Sequence, residues 1–216
     1  MDAGSLILDA VLIGIAYLSG SIPIGVLVAK ISGGPDPRTI GSGRTGGTNA
    51  LRALGRRWAA LVVLGDLAKG ALPVLLARIV TNDAVVEVLC GFAAVIGSFR
   101  SVFLGFGGGR GVGTGVGTML VIQPLAVLLA TPVFIVVILI TRYVSLGSLI
   151  GSAALFPAML IVYLVANGSI PPAYLVYAAV GPVLIWISHA DNIRRLIHGQ
   201  ERKFDFRLLA GRHQGS

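Results

Sequence analysis

From Gly111 to Thr141 the chain carries no charged side chain, and apolar runs of similar character cover most of the rest. A segment of this kind cannot lie on the surface of a water-soluble domain. Only 12% of the 216 residues are charged and 55% are hydrophobic. Soluble domains carry roughly 25% charged residues. The solvent for this chain is therefore largely lipid. A backbone in lipid must satisfy its own hydrogen bonds, which leaves helices as the spanning element for runs of this length.

Apolar segments fall at 5–29, 58–80, 85–100, 111–123, 125–141, 145–166 and 172–189. The stretch 111–141 exceeds one span, and Gln123-Pro124 is the natural break, because proline ends or kinks a helix. The expectation is an all-α polytopic membrane protein of about seven short transmembrane helices, forming a single domain over 1–216. The start, "MDAGSLILDAVLIG", has two acids and no basic region before its apolar run, so the first segment is expected to remain as a span.

The charges give an orientation. Lys30, Arg38, Arg44, Arg52, Arg56 and Arg57 follow the first segment, Arg100 and Arg110 the third, and Arg142 the fifth. The tail holds Arg194, Arg195, Arg202, Lys203, Arg207 and Arg212. The alternate connections have no Lys or Arg, and of 17 basic residues only Lys69 and Arg78 fall in the interior of an apolar segment, Arg100 being the terminal residue of 85–100. Basic residues favour the cytoplasmic side, so the N-terminus, with Asp2 and Asp9, is expected outside and the C-terminus inside. The net charge of +8 then reflects this bias and attraction to anionic lipid head groups rather than nucleic acid.

Polar residues gather on the expected cytoplasmic face. "GSGRTGGTNALR" (41–52) and "FGGGRGVGTGVG" (106–117) are glycine-rich loops with embedded arginine. Glycines let successive amides converge on an anion, a helix N-terminus adds partial positive charge, and arginine adds a bidentate fork for phosphate. Gly113–Gly117 fits equally well as a close-packed helix face. Gly41, Gly43 and Gly46 spell G-x-G-x-x-G, but a lipid-spanning helix precedes them where a dinucleotide fold needs a strand. Asp66 and Lys69 share a helix face inside the second apolar segment, as an ion pair or as a ligand group. His189 and Asn192 stand at the cytoplasmic end of the last segment. His198 and His213 are expected in solvent, and Cys90 as an inert buried thiol. No Cys/His/carboxylate cluster has metal-ligand spacing, so neither a metal nor a cofactor is expected.

In this order, "GSIPIG" (20–25), "GSGRTGGTNALR" (41–52), "DLAKGALPV" (66–74), "GSFRSVFLGFGGGRGVGTGVG" (97–117), "TRYVSLGSLI" (141–150) and "HADNIRRLIHGQE" (189–201) resemble the bacterial acyl-phosphate:glycerol-3-phosphate acyltransferase family (PlsY-type). The resemblance implies a seven-helix enzyme of the bacterial inner membrane with a cytoplasm-facing site. It implies transfer of a fatty acyl group from acyl phosphate to the 1-hydroxyl of glycerol 3-phosphate, without acyl-CoA, as the first step of phospholipid synthesis. The H-x-x-x-x-D signature of acyl-CoA-dependent enzymes is absent, since Arg194 and Lys203 stand five residues after His189 and His198. The chain departs from the family's usual pattern at Arg44 (Asn), Ser98 (His) and Arg110 (Lys).

The expected phosphate-binding residues are Ser42, Gly43, Gly46, Gly47, Thr48, Asn49, Arg52, Lys69, Gly108, Gly109, Arg110 and Ser145. Amides of 41–48 are assigned to the acyl phosphate, and Arg52, Arg110 and Ser145 to glycerol phosphate. His189 and Asn192 are the expected catalytic pair, orienting the acceptor hydroxyl. The base is His189 or a substrate phosphate oxygen. The expected partners are acyl phosphate, glycerol 3-phosphate and membrane lipid, with no nucleic acid; the oligomeric state stays open. Two other classes fit the residues: a small transporter for phosphate-bearing solutes, and a weakly active or non-catalytic paralogue.

Overall fold

Proline decides where the first apolar segment stops being one helix. In the computed structural model, which describes residues 3–210, α1 (Ala3–Ser21) ends just before Ile22-Pro23 and α2 (Ile24–Ser32) starts afresh. The expected single span over 5–29 is therefore two helices, because Pro23 has no amide to continue the ladder. Met1, Asp2, Arg212 and His213 lie outside the described residues.

The next element, α3 (Gly47–Leu54), opens at Gly46 and closes at Gly55, whose φ of 82° only glycine adopts readily. Then α4 (Arg56–Thr81) runs 26 residues, about 39 Å at the α-helical rise. Asp83 caps α5 (Ala84–Phe99) by accepting from Val85 N at 2.7 Å. A short 3-10 turn (Val102–Leu104) leads to α6 (Val112–Ile122). The expected break at Gln123-Pro124 is present, with Pro124 as the first residue of α7 (Pro124–Thr141). The segment 145–166 is α8 (Val144–Ala153) followed by α9 (Leu155–Val165). Last come α10 (Ala173–Ser188) and α11 (Ala190–Ile197), which meet at a 68° bend.

The described residues contain helices and no named strand, so the protein is an all-α, multi-pass membrane protein. Four segments are long and apolar enough to cross a bilayer: α1, α4, α7 and the α8–α9 pair. The bent α10–α11 pair makes a fifth. The apolar helices α5 and α6 are shorter, at 16 and 11 residues. At that length α6 rises only about 17 Å, roughly half a hydrocarbon core. Outward-facing side chains match a lipid solvent: Ile140 is 77% exposed and Val165 76%.

Glycines in α6 settle one ambiguity of the sequence. A Cβ on Gly117 would run into the Leu67 carbonyl of α4, and one on Gly70 into the Thr114 carbonyl of α6. This part of the glycine run lets two backbones touch, as is common between membrane helices. The core around it holds Val74, Met119, Met159 and Tyr177, with Tyr177 stacked on Phe92 at 5.0 Å. Arg78, one of the two in-span bases, pairs with buried Glu87 at 2.6 Å. Tyr174 also donates to that carboxylate, at 2.9 Å. This cluster compensates the charges among themselves.

Candidate active site

The glycine-rich loop before α3 is organised by one amide side chain. Asn49 donates from Nδ2 to the carbonyls of Pro37 (2.6 Å), Ile40 (3.1 Å) and Arg44 (2.8 Å). Its Oδ1 accepts from Ser42 N at 3.1 Å. Gly41 and Gly43 take positive φ (57° and 68°), which winds the loop around this centre. Asn49 is thus consumed by the loop. The expected nest over 41–48 shrinks accordingly, since the Ser42 amide serves Asn49 and the Gly43 amide serves Ile40 O at 3.0 Å. The amides of Gly46, Gly47 and Thr48, at the start of α3, have no main-chain partner among the described residues. The usable anion site is therefore the helix N-terminus rather than the whole loop.

That N-terminus opens into a cavity of about 440 Å³. Of the residues expected from sequence, Ser42, Gly46, Gly47, Thr48, Asn49, Arg52, Lys69, Gly109, Arg110, Ser145, His189 and Asn192 line it. Gly43 and Gly108 do not. Gly108 has a φ of 152° and lies against the Ser98 carbonyl, and the neighbouring Gly109 amide donates to that same carbonyl at 3.0 Å. The Gly43 and Gly109 amides serve their own loops, and Gly108 stands outside the cavity lining.

The polar lining residues Arg44, Thr45, Asp66, Ser98, Ser148, Arg195, Glu201 and Arg202 stood outside the expected site. The i, i+4 pair Asp191–Arg195 on the tail was a legible signal for one of them. Glu201 organises this side. It accepts from Ser145 Oγ at 2.9 Å and Asn192 Nδ2 at 2.8 Å, and pairs with Arg195 Nε at 2.9 Å. It so draws α8, α11 and the tail together.

The charge is unbalanced. Six cations line the cavity (Arg44, Arg52, Lys69, Arg110, Arg195, Arg202) against two lining carboxylates (Asp66, Glu201), with Asp191 beside them paired to three of the arginines. Three guanidiniums share one oxygen: Asp191 Oδ2 lies 3.3 Å from Arg110, 3.3 Å from Arg195 and 3.7 Å from Arg44. Arg52 has no carboxylate partner among the described residues. Burial, and then the like charge of Arg202, pull its guanidinium below the usual value. An anion in the cavity relieves that strain. Lys69 is paired with Asp66 at 2.8 Å.

His189 lies at the bend between α10 and α11 and is 2% exposed. Its Nδ1 faces the Ile185 carbonyl at 2.8 Å, and a carbonyl only accepts, so the proton resides on Nδ1. Nε2 is then the bare acceptor. Ser188 Oγ, within 2.8 Å of the Arg110 carbonyl, ties this bend to the second glycine loop. Arg110 Nε and Asn192 Oδ1 are buried without a hydrogen-bond partner among the described residues. One is a donor and the other an acceptor, both on cavity-lining side chains. Among the described residues no three His, Cys, Asp or Glu groups converge as a metal site.

A family model described as "Glycerol-3-phosphate acyltransferase" matches residues 10–199. The chain belongs to that family. The enzyme named glycerol-3-phosphate acyltransferase of Geobacter sulfurreducens is 41% identical over 91% of this chain and 97% of its own. Glycerol-3-phosphate acyltransferase 3 of Dehalococcoides mccartyi (strain CBDB1) is 41% identical over 88% of this chain and 93% of its own. A crystal structure of PlsY (YgiH), an integral membrane glycerol 3-phosphate acyltransferase in its glycerol 3-phosphate form, superposes with a TM-score of 0.83. It is 36% identical and covers 94% of this chain and 99% of its own. The lysophosphatidic acid form of the same protein gives a TM-score of 0.82.

Proposed function

We propose that this protein acylates glycerol 3-phosphate at its 1-hydroxyl with acyl phosphate as donor, releasing lysophosphatidate and inorganic phosphate. One observation carries the reading. The open amides at the α3 N-terminus, Arg52 without a carboxylate partner among the described residues, and Arg110 with its Nε unpartnered all line one cavity beside the free Nε2 of His189. The relatives' names supply the acceptor; a donor with its own phosphate fits a lining in which cations outnumber carboxylates.

In this assignment the α3 amides hold the acyl-phosphate phosphate, and Arg52, Arg110 and Ser145 hold the acceptor's phosphate. Asn192 Oδ1 accepts from the acceptor's free hydroxyl, and Asn192 is itself held by Glu201. The 1-hydroxyl oxygen attacks the acyl carbonyl carbon, and the bond from that carbon to the phosphate oxygen breaks. The hydroxyl proton passes to His189 Nε2 or to a phosphate oxygen. The mixed anhydride is already activated, so orientation and charge stabilisation supply the catalysis without a covalent enzyme intermediate. The site faces the cytoplasm in this reading, with the N-terminus outside, seven crossings and one domain in a bacterial inner membrane. The basic connections support that topology.

The deciding measurement is acyl transfer to glycerol 3-phosphate by purified protein in lipid, with acyl phosphate compared against acyl-CoA. Lysophosphatidate from acyl phosphate alone is the expected result. Product from acyl-CoA instead, or no product from folded protein, overturns the reading.

A further inference from the structure

The polar cavity borders two apolar spaces, and one ring stands among all three. Phe134 of α7 lines the 440 Å³ cavity, a groove of about 430 Å³, and a separate cavity of about 140 Å³. The groove runs between α4 and α7, past Val63, Ile135 and Leu139. Ile135 is 47% exposed and Leu139 61%, so its flank is open to lipid. The smaller cavity lies among α6, α7, α8 and α10, where Met119, Ala130 and Tyr177 are buried.

The backbone fixes the ring in place. A Cβ on Gly151 of α8 would lie 2.8 Å from Phe134 Cβ, and one on Gly147 would lie 3.2 Å from Phe134 O. These two glycines, one helical turn apart, bring α8 directly against α7 at this residue. The ring edge meets the same face, since the Gly151 Cβ would lie 3.5 Å from Phe134 Cδ2.

We propose that Phe134 determines which acyl donors the site accepts: it directs the chain into the lipid-open groove and closes the smaller cavity to it. This rests on the acyl-phosphate reading. A lipid-borne donor reaches the groove sideways, with its chain never leaving apolar surroundings, and its head then meets Gly47 and Thr48, which line groove and polar cavity alike. A space near 150 Å³ takes a benzene-sized group. The 140 Å³ cavity behind Phe134 is thus large enough for a branch on the chain, once the ring is gone. Wild-type protein selects straight chains because that space is walled off.

The test compares two donors with purified full-length protein: hexadecanoyl phosphate and the same chain bearing a phenyl group near its carbonyl. In Phe134→Ala the kcat/KM ratio of branched to straight donor should rise by about tenfold or more. The KM for glycerol 3-phosphate should stay within about twofold, which a general loosening of the site would not allow. Phe134→Leu, which keeps most of the packing, should give a smaller rise in the same direction. Adding Ala130→Leu to Phe134→Ala refills the smaller cavity and should return the ratio toward wild type. An unchanged ratio in both Phe134 variants overturns the proposal while leaving the acyltransferase intact. No lysophosphatidate from either donor with wild-type protein overturns the function itself.

Discussion

The ammonium of Lys69 donates at 3.2 Å to the main-chain carbonyl of Ile22, where Pro23 interrupts the first helix, and pairs at 2.8 Å with Asp66. One side chain therefore joins α4 to the break between α1 and α2. Ser19 reinforces the same junction by donating to the Lys69 carbonyl at 3.0 Å. The site's floor depends on it, since Asp66 and Lys69 both line the cavity.

Lys69→Met removes the donor for the Ile22 carbonyl and strands the Asp66 carboxylate. Breaking a buried pair from one side costs about 3–5 kcal/mol. Thermal unfolding in a fixed detergent should show a clear drop, and Asp66→Asn/Lys69→Met should recover part of it. A double variant no more stable than the single one would show that the pair is not the source of the loss.

His189 leaves a bare Nε2 beside the cavity, where it can take the hydroxyl proton. His189→Ala should lower kcat by about 10²–10⁴-fold if Nε2 takes the hydroxyl proton. Near-wild-type turnover would transfer that role to a substrate phosphate oxygen.

Arg52 and Arg44 should separate in kinetics. Arg52 has no counter-ion of its own, so Arg52→Ala should raise the KM of a phosphate substrate by about 10–10²-fold, from the ~1.5–3 kcal/mol of a charged hydrogen bond. Its melting temperature should hold, because no internal ion pair is lost. Arg44 is a third of the way exposed and shares Asp191 with two other arginines. Arg44→Asn should therefore raise KM only about two- to fivefold, with a weaker salt dependence. Steady-state assays that vary each substrate in turn measure both, and equal effects would contradict the assignment.

Glu201→Gln tests the tail. The new amide can still accept from Asn192 and Ser145, but its nitrogen faces the Arg195 guanidinium, donor against donor. A loss of about 1–3 kcal/mol is expected. Glu201→Gln should also loosen the α11–tail contact, which limited proteolysis of the C-terminal segment would register. Wild-type resistance to protease would mean that Phe204, whose amide donates to the Arg142 carbonyl at 2.6 Å, anchors the tail alone.

Much of this was legible along the chain. The absence of charge from Gly111 to Thr141 dictated helices in lipid, and Gln123-Pro124 marked the break, because both are local consequences of side-chain type. The same proline rule, applied to Ile22-Pro23, would have divided 5–29 as well. Arg52, Arg110, His189 and Asn192 could be singled out because polar residues stand out in an apolar chain. Their partners could not. Asn49 looks like a ligand group until its four bonds to the loop are seen, and Glu201 looks like a solvated tail residue until Ser145, Asn192 and Arg195 converge on it.

Residue type and spacing alone point to the lipid solvent, the helical class, the expected membrane face of the basic residues and a phosphate-bearing ligand. Each of these follows from residue type and spacing, which act over one or two helical turns. Which amides stay open for an anion, which glycines serve packing and which arginines lack a counter-ion depend on how the helices pack. Those properties depend on whether a donor or charge finds a partner tens of residues away, as Lys69 finds Ile22 and Arg110 finds Asp191. Long-range pairing is set by how the helices cross, and no local pattern in the chain records that.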